Sequence, residues 1–172
     1  SLTAAEELFR IASRGLDSGV ESERHHVESG LADVLMLQGK YDDADQWFVR
    51  ASVSAHHPLD KARTALNRGE LEFKRGNKEK AVSFFEEAIN ELGYKIPSGG
   101  LNLGIQLGRQ VLVQTLHSLL PKWFVNRRSS CSRTEKLTLQ IFSKLAYGYW
   151  YTHGKYRTFW AHLAEMNLAE LY

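Results

Sequence analysis

Residues 81–88 read Ala-Val-Ser-Phe-Phe-Glu-Glu-Ala, with alanine at both ends and a phenylalanine at the fifth place. The same pattern, Ala-x3-Phe-x2-Ala, begins at Ala5, Ala44 and Ala81, so its copies are 39 and 37 residues apart. Alanine lets two helices approach closely, and the phenylalanine fills the groove between them. The pattern therefore predicts three copies of the second helix of a helical hairpin, in a repeat protein whose hairpins gain stability by stacking.

Helices are predicted in pairs around these copies. We expect first helices over 23–38 and 59–75, and second helices over 4–15, 41–53 and 78–92. Gly39 and Gly76 stand in the turns, where a residue without a Cβ adopts the left-handed conformation. Thr3 and Glu6 have the spacing of a capping box for the helix at 4–15. That helix has the pattern of a second helix without a first, which suggests a fragment of a larger chain.

The regular pattern is interrupted after the third copy. Glycine and proline between Gly93 and Gly100 force a loop. A long aliphatic helix follows over 103–120, and Pro121 ends it because proline disfavours helix in the preceding residue. The polar and basic residues 126–133 are typical of an exposed connector or a mobile loop.

A last hairpin is predicted at the end of the sequence. Its helices are expected over 134–153 and 156–172, with Gly154 in the turn. The domain organisation that we expect is one continuous solenoid with repeats at 1–92, a divergent insertion at 93–133 and a final hairpin at 134–172.

The turn glycines align these hairpins with a known family. When Gly39, Gly76 and Gly154 are superposed, the place of that family's Leu-Gly pair is taken by Leu31-Ala32, Arg68-Gly69 and Ala146-Tyr147. Together with the Ala-x3-Phe-x2-Ala copies, these residues make the chain resemble the tetratricopeptide (TPR) family over 3–92 and, more loosely, over 134–172. The resemblance implies an all-α, TPR-like α-solenoid of stacked antiparallel helical hairpins, with an inserted long helix and loop.

A second resemblance concerns the region where the repeat is interrupted. Residues 91–97, Glu-Leu-Gly-Tyr-Lys-Ile-Pro, the long leucine-rich helix, residues 119–124, Leu-Leu-Pro-Lys-Trp-Phe, and the aromatic-rich hairpin resemble the helical segment of large STAND-type (AAA-like) signalling ATPases. In that group, similar repeats are joined to nucleotide cyclases or protein kinases. The resemblance implies a regulatory piece of a larger chain, although no Gly-x4-Gly-Lys-Ser/Thr phosphate loop is present.

The composition is that of an ordinary globular protein, with 43% apolar and 24% charged residues. Its 22 basic and 20 acidic residues give a net charge of +2, too small to indicate a nucleic-acid partner. We find no signal peptide and no apolar run of about 20 residues, the length that a spanning helix needs. The single cysteine, Cys131, excludes an internal disulfide, and we expect a cytoplasmic protein.

No constellation of residues predicts catalysis, a metal site or a cofactor. The pairs His25-His26 and His56-His57 are adjacent, so their side chains point about 100° apart on a helix and do not chelate one ion together. Cys131 lies in a basic loop with no histidine nearby in sequence, and a loop positions a nucleophile badly. We expect a protein that is not an enzyme.

We expect a binding role, because first helices of stacked hairpins line a concave groove. Relatives that clamp a peptide carboxylate use lysine and asparagine there, whereas Asp33 and Glu70 take such places here. We therefore expect a basic or apolar peptide segment as the partner. The candidate groove residues are Asp33, Met36, Leu37, Leu66, Glu70, Phe73, Lys74, Lys144 and Tyr151.

Two further surfaces are predicted. The seven aromatic residues between Tyr147 and Trp160 are either a recognition surface or, for about half of them, packing inside the hairpin. The basic patch carries an excess of four positive charges between Lys122 and Lys136 and includes Lys122, Arg127, Arg128 and Arg133. Residues 103–128 combine an apolar helix with this basic end, which is typical of a segment on anionic lipid. A buried helix that bridges two parts of the solenoid explains the same residues without a membrane, and it is the arrangement that we expect.

The expected function is protein interaction without catalysis. The leading hypothesis is an intramolecular regulatory scaffold in a larger signalling ATPase or cyclase, whose partner is another domain of the same chain. The alternatives are a stand-alone module that binds a basic or apolar peptide, and a segment that associates with an anionic membrane surface.

Overall fold

The computed structural model describes residues 1–15 and 21–172 and is all-α, with no strand in these ranges. The helices, in chain order, are α1 (Leu2–Gly15), α2 (Glu21–Leu37), α3 (Tyr41–Ser54), α4 (Pro58–Lys74), α5 (Lys78–Glu91), α6 (Gly100–Leu119), α7 (Pro121–Phe124), α8 (Arg133–Thr152) and α9 (Lys155–Ala169). The chain forms two compact units, Ser1–Glu91 and Leu92–Tyr172.

In the first unit, each helix packs on the next one along the chain, from α1 to α5, in the manner of a solenoid. The repeat signature forms its interior: the alanines and phenylalanines of α3 and α5 are at most 1% exposed, at Ala44, Phe48, Ala51, Ala81, Phe85 and Ala88. The prediction that these residues join paired helices is confirmed.

The turns of the first unit form at the predicted glycines. Gly39 and Gly76 have φ angles of 78° and 88°, in the region that favours glycine. The capping box predicted from Thr3 and Glu6 is wrong. The hydroxyl of Ser1 accepts the bond from the Ala4 amide at 3.3 Å, and the Glu6 carboxylate pairs instead with Lys40 and with Arg10.

In the second unit, α9 packs against both α8 and α6. Its interior is aromatic and aliphatic: Phe142 meets Trp160 edge to face at 5.9 Å, and Tyr94 meets Phe142 in the same way at 5.4 Å. Ser132 and Glu135 form a capping box at the start of α8 that the sequence analysis missed.

The long helix α6 differs from expectation. Among its residues only His117 is buried, so the expectation of a buried helix is wrong. The reason is that α6 packs against α9 on one side, while its other side carries exposed apolar residues, among them Leu101, Ile105, Leu112 and Leu119. Pro121 does end α6, and it also begins the short helix α7, where its missing N–H costs no hydrogen bond.

The basic connector at 126–133 is exposed but attached. The amide of Asn126 donates to the Glu170 carbonyl at 2.9 Å, and the amide of Arg128 donates to the Leu171 carbonyl at 2.8 Å. These two bonds tie the connector to the end of α9, which agrees with the first of the two expected alternatives, an exposed connector. None of the described helices is long and apolar enough to cross a membrane.

Candidate functional site

The predicted groove brings together polar residues from α2 and α4. The Asn67 side-chain amide donates to the Asp33 carboxylate at 2.9 Å. Burial and the nearby charge of Glu70 raise the pKa of Asp33 from 3.8 to about 6, against the opposing charge of Arg63. A partly buried acidic pair of this kind favours a cationic partner over an anionic one.

Two other predicted groove residues are buried and not available for binding. Met36 is 7% exposed and belongs to the core cluster of the first unit, and Leu66 is 5% exposed. The expectation that their side chains avoid core packing is wrong, because first helices in this stack contact helices on more than one side. Leu37 and Lys74 are exposed, and Phe73 is half-buried.

The two groove candidates of the second unit lie on α8. Lys144 is exposed, and Tyr151 is 48% exposed. The Tyr151 ring contacts the ring of Tyr147 edge to face at 5.2 Å, and the two hydroxyl groups are 3.3 Å apart. Tyr151 therefore belongs to an aromatic surface.

That aromatic surface is more exposed than expected. Of the seven aromatic residues singled out in this hairpin, only Tyr149 and Trp160 are buried. The other five are between 48% and 64% exposed: Tyr147, Trp150, Tyr151, Tyr156 and Phe159. The turn at Gly154 brings α8 and α9 side by side, so residues from both helices contribute to this surface.

Three of these residues, Trp150, Tyr156 and Phe159, line a cleft, which we call the aromatic cleft. It has a volume of about 340 Å³ and is lined by Trp150, Lys155, Tyr156, Thr158, Phe159 and His162. A second depression of about 450 Å³ shares Trp150, Thr158 and His162 with the cleft and extends to Tyr147 and Glu165. The Lys155 ammonium lies 5.3 Å from the centre of the Tyr156 ring, at the edge of the cleft. Its lining offers apolar contact with a few polar groups around it.

Part of the basic patch is already paired. The Arg128 guanidinium forms an ion pair with Glu135 and donates to the Tyr172 hydroxyl at 3.0 Å. Hydrogen bonds with Ser132 and Tyr172 and the charge of Arg128 lower the pKa of Glu135 to about 2. The Arg127 guanidinium donates to the Trp123 carbonyl at 2.6 Å. Lys122 and Arg133 are exposed.

One buried acidic residue, Glu72, is not predicted from the sequence. Glu72 is 1% exposed and accepts hydrogen bonds from Arg75 at 3.1 Å, Asn77 at 2.8 Å and Lys80 at 2.8 Å. All three donors follow Glu72 within eight residues, across the α4–α5 turn. A glutamate followed at this spacing by arginine, asparagine and lysine is therefore a sequence signal from which this site could be predicted. These contacts stabilise the α4–α5 hairpin.

Two histidines are buried in similar structural roles. His25 Nε2 lies 2.9 Å from the Thr64 hydroxyl, and burial lowers the pKa of His25. His117 Nδ1 lies 2.6 Å from the Glu170 carboxylate, a pairing of α6 with the end of α9 across 53 residues of sequence.

Within residues 1–15 and 21–172, no group of three or more His, Cys, Asp or Glu side chains is placed to hold a metal ion. Cys131 is half-buried.

Comparisons with known proteins find similarity among solved structures. No protein-family model matches the sequence, and no curated protein is significantly similar to it. Among solved structures, the crystal structure of BtubC (BKLC) from P. vanneervenii is similar with a TM-score of 0.49 and 15% sequence identity. The similarity covers 98% of this chain and 73% of that chain.

Proposed function

We propose that this chain is a non-catalytic protein-binding module of TPR-like hairpins that acts as a regulatory scaffold. The observation that carries the proposal is the aromatic cleft between α8 and α9. Five large aromatic side chains lie exposed on one hairpin, whereas monomeric proteins rarely expose contiguous apolar surface without a partner for it. Tyrosine and tryptophan are also the residues that contribute most binding energy at protein interfaces.

The chemistry of the cleft favours an apolar segment. Trp150, Tyr156 and Phe159 provide flat apolar contact, and a volume of about 340 Å³ accommodates one or two aliphatic side chains. His162 and Lys155 stand at the polar edge and are able to pair with backbone carbonyls or a carboxylate of the bound segment. The resemblance to signalling ATPases favours a segment from another domain of a larger chain.

The TPR-like part of the proposal is supported by the first unit. Small residues of first helices, Ala32 and Gly69, lie 16 residues before Phe48 and Phe85, and all four are buried. A Cβ atom on Gly69 would meet the Phe85 ring at 2.4 Å, which is the close helix approach that the family's Leu-Gly position serves.

Selection of peptides from a random phage-displayed library on the purified chain tests the cleft. We expect selected peptides to be rich in aliphatic and aromatic residues, and to lose at least tenfold in affinity for the Phe159→Asp and Trp150→Asp variants. Val53→Asp, at an apolar residue of α3 that is 78% exposed, is the matched control and should bind normally. Peptides that bind all variants equally would exclude the cleft as the binding site.

A second candidate function is favoured by the exposed side of α6. Residues 92–134 contain six lysines and arginines and no aspartate or glutamate. Apolar residues of α6 and α7 within this stretch are strongly exposed, including Ile105, Leu112 and Trp123. Exposed apolar side chains in a stretch of sequence whose charged residues are all basic are typical of a segment that lies on an anionic membrane surface.

Sedimentation with lipid vesicles tests this second candidate. Vesicles with about one-third phosphatidylserine should carry the protein down at low salt, and Leu112→Glu and Lys122→Glu should each reduce the bound fraction several-fold. Binding should fall as salt rises, since screening weakens attraction to the lipid head groups. Equal sedimentation with neutral and with anionic vesicles, or no sedimentation with either, would contradict binding to an anionic membrane surface.

The acidic pair in the first unit favours a basic segment as an additional ligand. Substitution of Asp33 or Glu70 by lysine would reverse the charge that such a segment meets. If a captured basic peptide binds the Asp33→Lys and Glu70→Lys variants as well as the parent, it does not bind in the groove.

A further inference from the structure

The basic connector between α7 and α8 contains two exposed serines. Ser129 and Ser130 lie in a stretch that forms no helix. The backbone bonds that anchor the connector lie on either side of them, at the Arg128 amide before and the Ser132 amide after. In the part of the chain that the structure describes, neither serine hydroxyl makes a hydrogen bond, whereas the Ser132 hydroxyl caps α8. Both hydroxyls are therefore accessible to an enzyme that binds a short non-helical segment.

Two arginines stand before these serines. Arg127 and Arg128 are three and two residues before Ser130, and both are exposed. A guanidinium forms two parallel hydrogen bonds with a carboxylate, so an enzyme with a carboxylate-lined substrate groove uses such arginines to fix the register of the bound segment. Basophilic serine kinases recognise arginines at these two distances from the acceptor, which favours Ser130 over Ser129. The spacing alone is frequent in sequences, but here it coincides with an exposed segment without helix.

The present contacts of the two arginines are weak. The Arg128 guanidinium pairs with Glu135 and with the Tyr172 hydroxyl, and the Arg128 side chain is 53% exposed. The Arg127 guanidinium donates to the Trp123 carbonyl at the surface. Exposed contacts of this kind contribute little to stability, because water and salt screen them. Carboxylates of a kinase are therefore able to replace them without unfolding of a neighbouring helix.

We propose that Ser130 is a phosphorylation site of a serine kinase that recognises arginine. The Ser130 Oγ attacks the γ-phosphorus of an ATP molecule that the kinase holds. The bond from Oγ to phosphorus forms as the bond between the γ-phosphorus and its bridging oxygen breaks, and ADP leaves with that electron pair. The hydroxyl proton passes to a carboxylate of the kinase. None of the residues that line the aromatic cleft belongs to this segment, so the modification adds to the binding role proposed above.

Phosphorylation changes the charge of the basic patch. The stretch from Lys122 to Lys136 carries an excess of four positive charges. A phosphate carries about 1.5 to 2 negative charges near neutral pH, which cancels close to half of this excess. It also stands two residues from Arg128, where it competes with Glu135 for the guanidinium. The modification is therefore expected to weaken attachment to an anionic membrane, a consequence that rests on the second candidate function.

Incubation of the purified chain with ATP and cyclic-AMP-dependent protein kinase, an arginine-directed serine kinase, tests the site. We expect one phosphate per chain, located on Ser130 by tandem mass spectrometry. Ser130→Ala should abolish incorporation, whereas Ser129→Ala, the same change one residue earlier, is the matched control and should leave the rate unchanged. Arg127→Ala and Arg128→Ala should each lower the initial rate by about tenfold or more, because each removes a bidentate contact with the kinase.

A synthetic peptide of residues 124–134 separates the effect of the sequence from that of the fold. The folded chain should accept phosphate at a rate similar to that of the peptide, because the segment is already exposed. The proposal is wrong if the folded chain accepts no phosphate, if the phosphate lies on Ser129 or elsewhere, or if the two arginine variants are modified as fast as the parent.

Sedimentation with anionic vesicles measures the consequence for the basic patch. The phosphorylated chain should sediment several-fold less than the unmodified chain at the same salt concentration. Equal sedimentation of the two forms would contradict the expected effect on membrane attachment. If the unmodified chain does not sediment, the second candidate function fails, whereas the assignment of Ser130 is decided by the mass spectrum and the variants.

Discussion

Gly69 in α4 and Phe85 in α5 are in contact at a distance that only glycine permits. A Cβ atom at residue 69 would lie 2.4 Å from Cε1 of the Phe85 ring and 3.1 Å from the carbonyl oxygen of Ala81. Phe85 is 1% exposed, so the ring has no room to move aside. The contact brings the two helices of this hairpin close enough for Ala81, Phe85 and Ala88 of α5 all to be buried.

Gly69→Ala should therefore destabilise the first unit. Overpacking a filled core costs about 1–3 kcal/mol, against a gain of up to about 1 kcal/mol from better helix propensity. We expect a net loss of about 1–2 kcal/mol in the free energy of unfolding, measured by urea denaturation with hydrogen exchange of α4 and α5.

Gly104→Ala provides the matched control for this prediction. Gly104 is also in a helix, but nothing lies within 4 Å of a Cβ atom built on it. The same chemical change should stabilise α6 by about 0.5–1 kcal/mol. A Gly69→Ala variant as stable as the parent would mean that α4 and α5 tolerate a wider separation.

The contact between Gly69 and Phe85 belongs to the part of the fold that sequence reasoning predicts well. The Ala-x3-Phe-x2-Ala signature spans eight residues, occurs three times and describes the packing of neighbouring helices. Its spacing alone therefore predicts that Phe48 and Phe85 are buried. The exposure of α6 did not follow, because an apolar helix does not specify in its own sequence which neighbour covers it. Likewise, the pairing of His117 with Glu170 depends on a tertiary contact that no local pattern encodes.

Site prediction had mixed success for the same reason. Asp33 and Glu70 are close to each other, as an alignment of first helices implies. The alignment places Met36 and Leu66 on a binding surface, because it assigns each position to a single face of the helix. In the stack a helix contacts several neighbours, and both side chains are buried. The aromatic surface on α8 and α9 was visible as a cluster in sequence, but which of its members are exposed depends on how the two helices pack.

The raised pKa of Asp33 predicts a pH dependence of stability. Its folded-state pKa of about 6 lies above the ordinary value of 3.8, so between these values the folded chain binds more protons than the unfolded chain. Stability contributed by this group is therefore present at pH 4 and lost as pH rises through 6, by up to about 3 kcal/mol. Asp33→Asn should remove this loss while keeping an oxygen for the Asn67 amide.

Urea denaturation of the parent and Asp33→Asn between pH 4 and pH 8 measures the difference. The two proteins should be similarly stable at pH 4, and the variant should be the more stable of the two at pH 7. The measurement at pH 4 serves as the internal control, because a general effect of the substitution would appear there as well. A constant difference across the range would contradict a buried, disfavoured carboxylate at this position.

Glu72 should have the opposite pH dependence. Burial by itself would raise the pKa of Glu72, but the hydrogen bonds from Lys80, Asn77 and Arg75 hold it below its ordinary value. Its contribution is therefore present above the unfolded pKa and lost as pH falls through the folded one. Glu72→Gln should cost about 1–3 kcal/mol at pH 7, since hydrogen bonds to a charged group are among the stronger ones.

The matched change for Glu72 is Glu87→Gln, at an exposed carboxylate of α5. We expect it to shift the free energy of unfolding by less than about 0.5 kcal/mol at pH 7. Equal effects of the two substitutions would show that Glu72 is not the anchor of the α4–α5 turn.

Glu170 connects the end of α9 to the second half of α6. Its carboxylate accepts from Gln114 at 3.0 Å and lies 2.6 Å from Nδ1 of buried His117, and these bonds hold the pKa of Glu170 below its ordinary value although burial opposes them. The first half of α6 lacks this anchor; near the middle, the Asn167 side chain donates to Gln110 at 2.7 Å. Removal of Glu170 therefore leaves a buried histidine without its acceptor while the Gln110 contact remains.

Glu170→Ala should accordingly increase amide hydrogen exchange in residues 113–119 several-fold, with a smaller increase in 101–108. Glu165→Ala, which removes the half-buried partner of the exposed His162 on the same helix, should leave exchange in α6 unchanged. The graded response distinguishes an anchor from a general loss of stability, because unfolding of the whole second unit would raise exchange equally along α6, α8 and α9. Uniform acceleration would therefore contradict the assignment of Glu170 as the residue that holds the exposed helix in place.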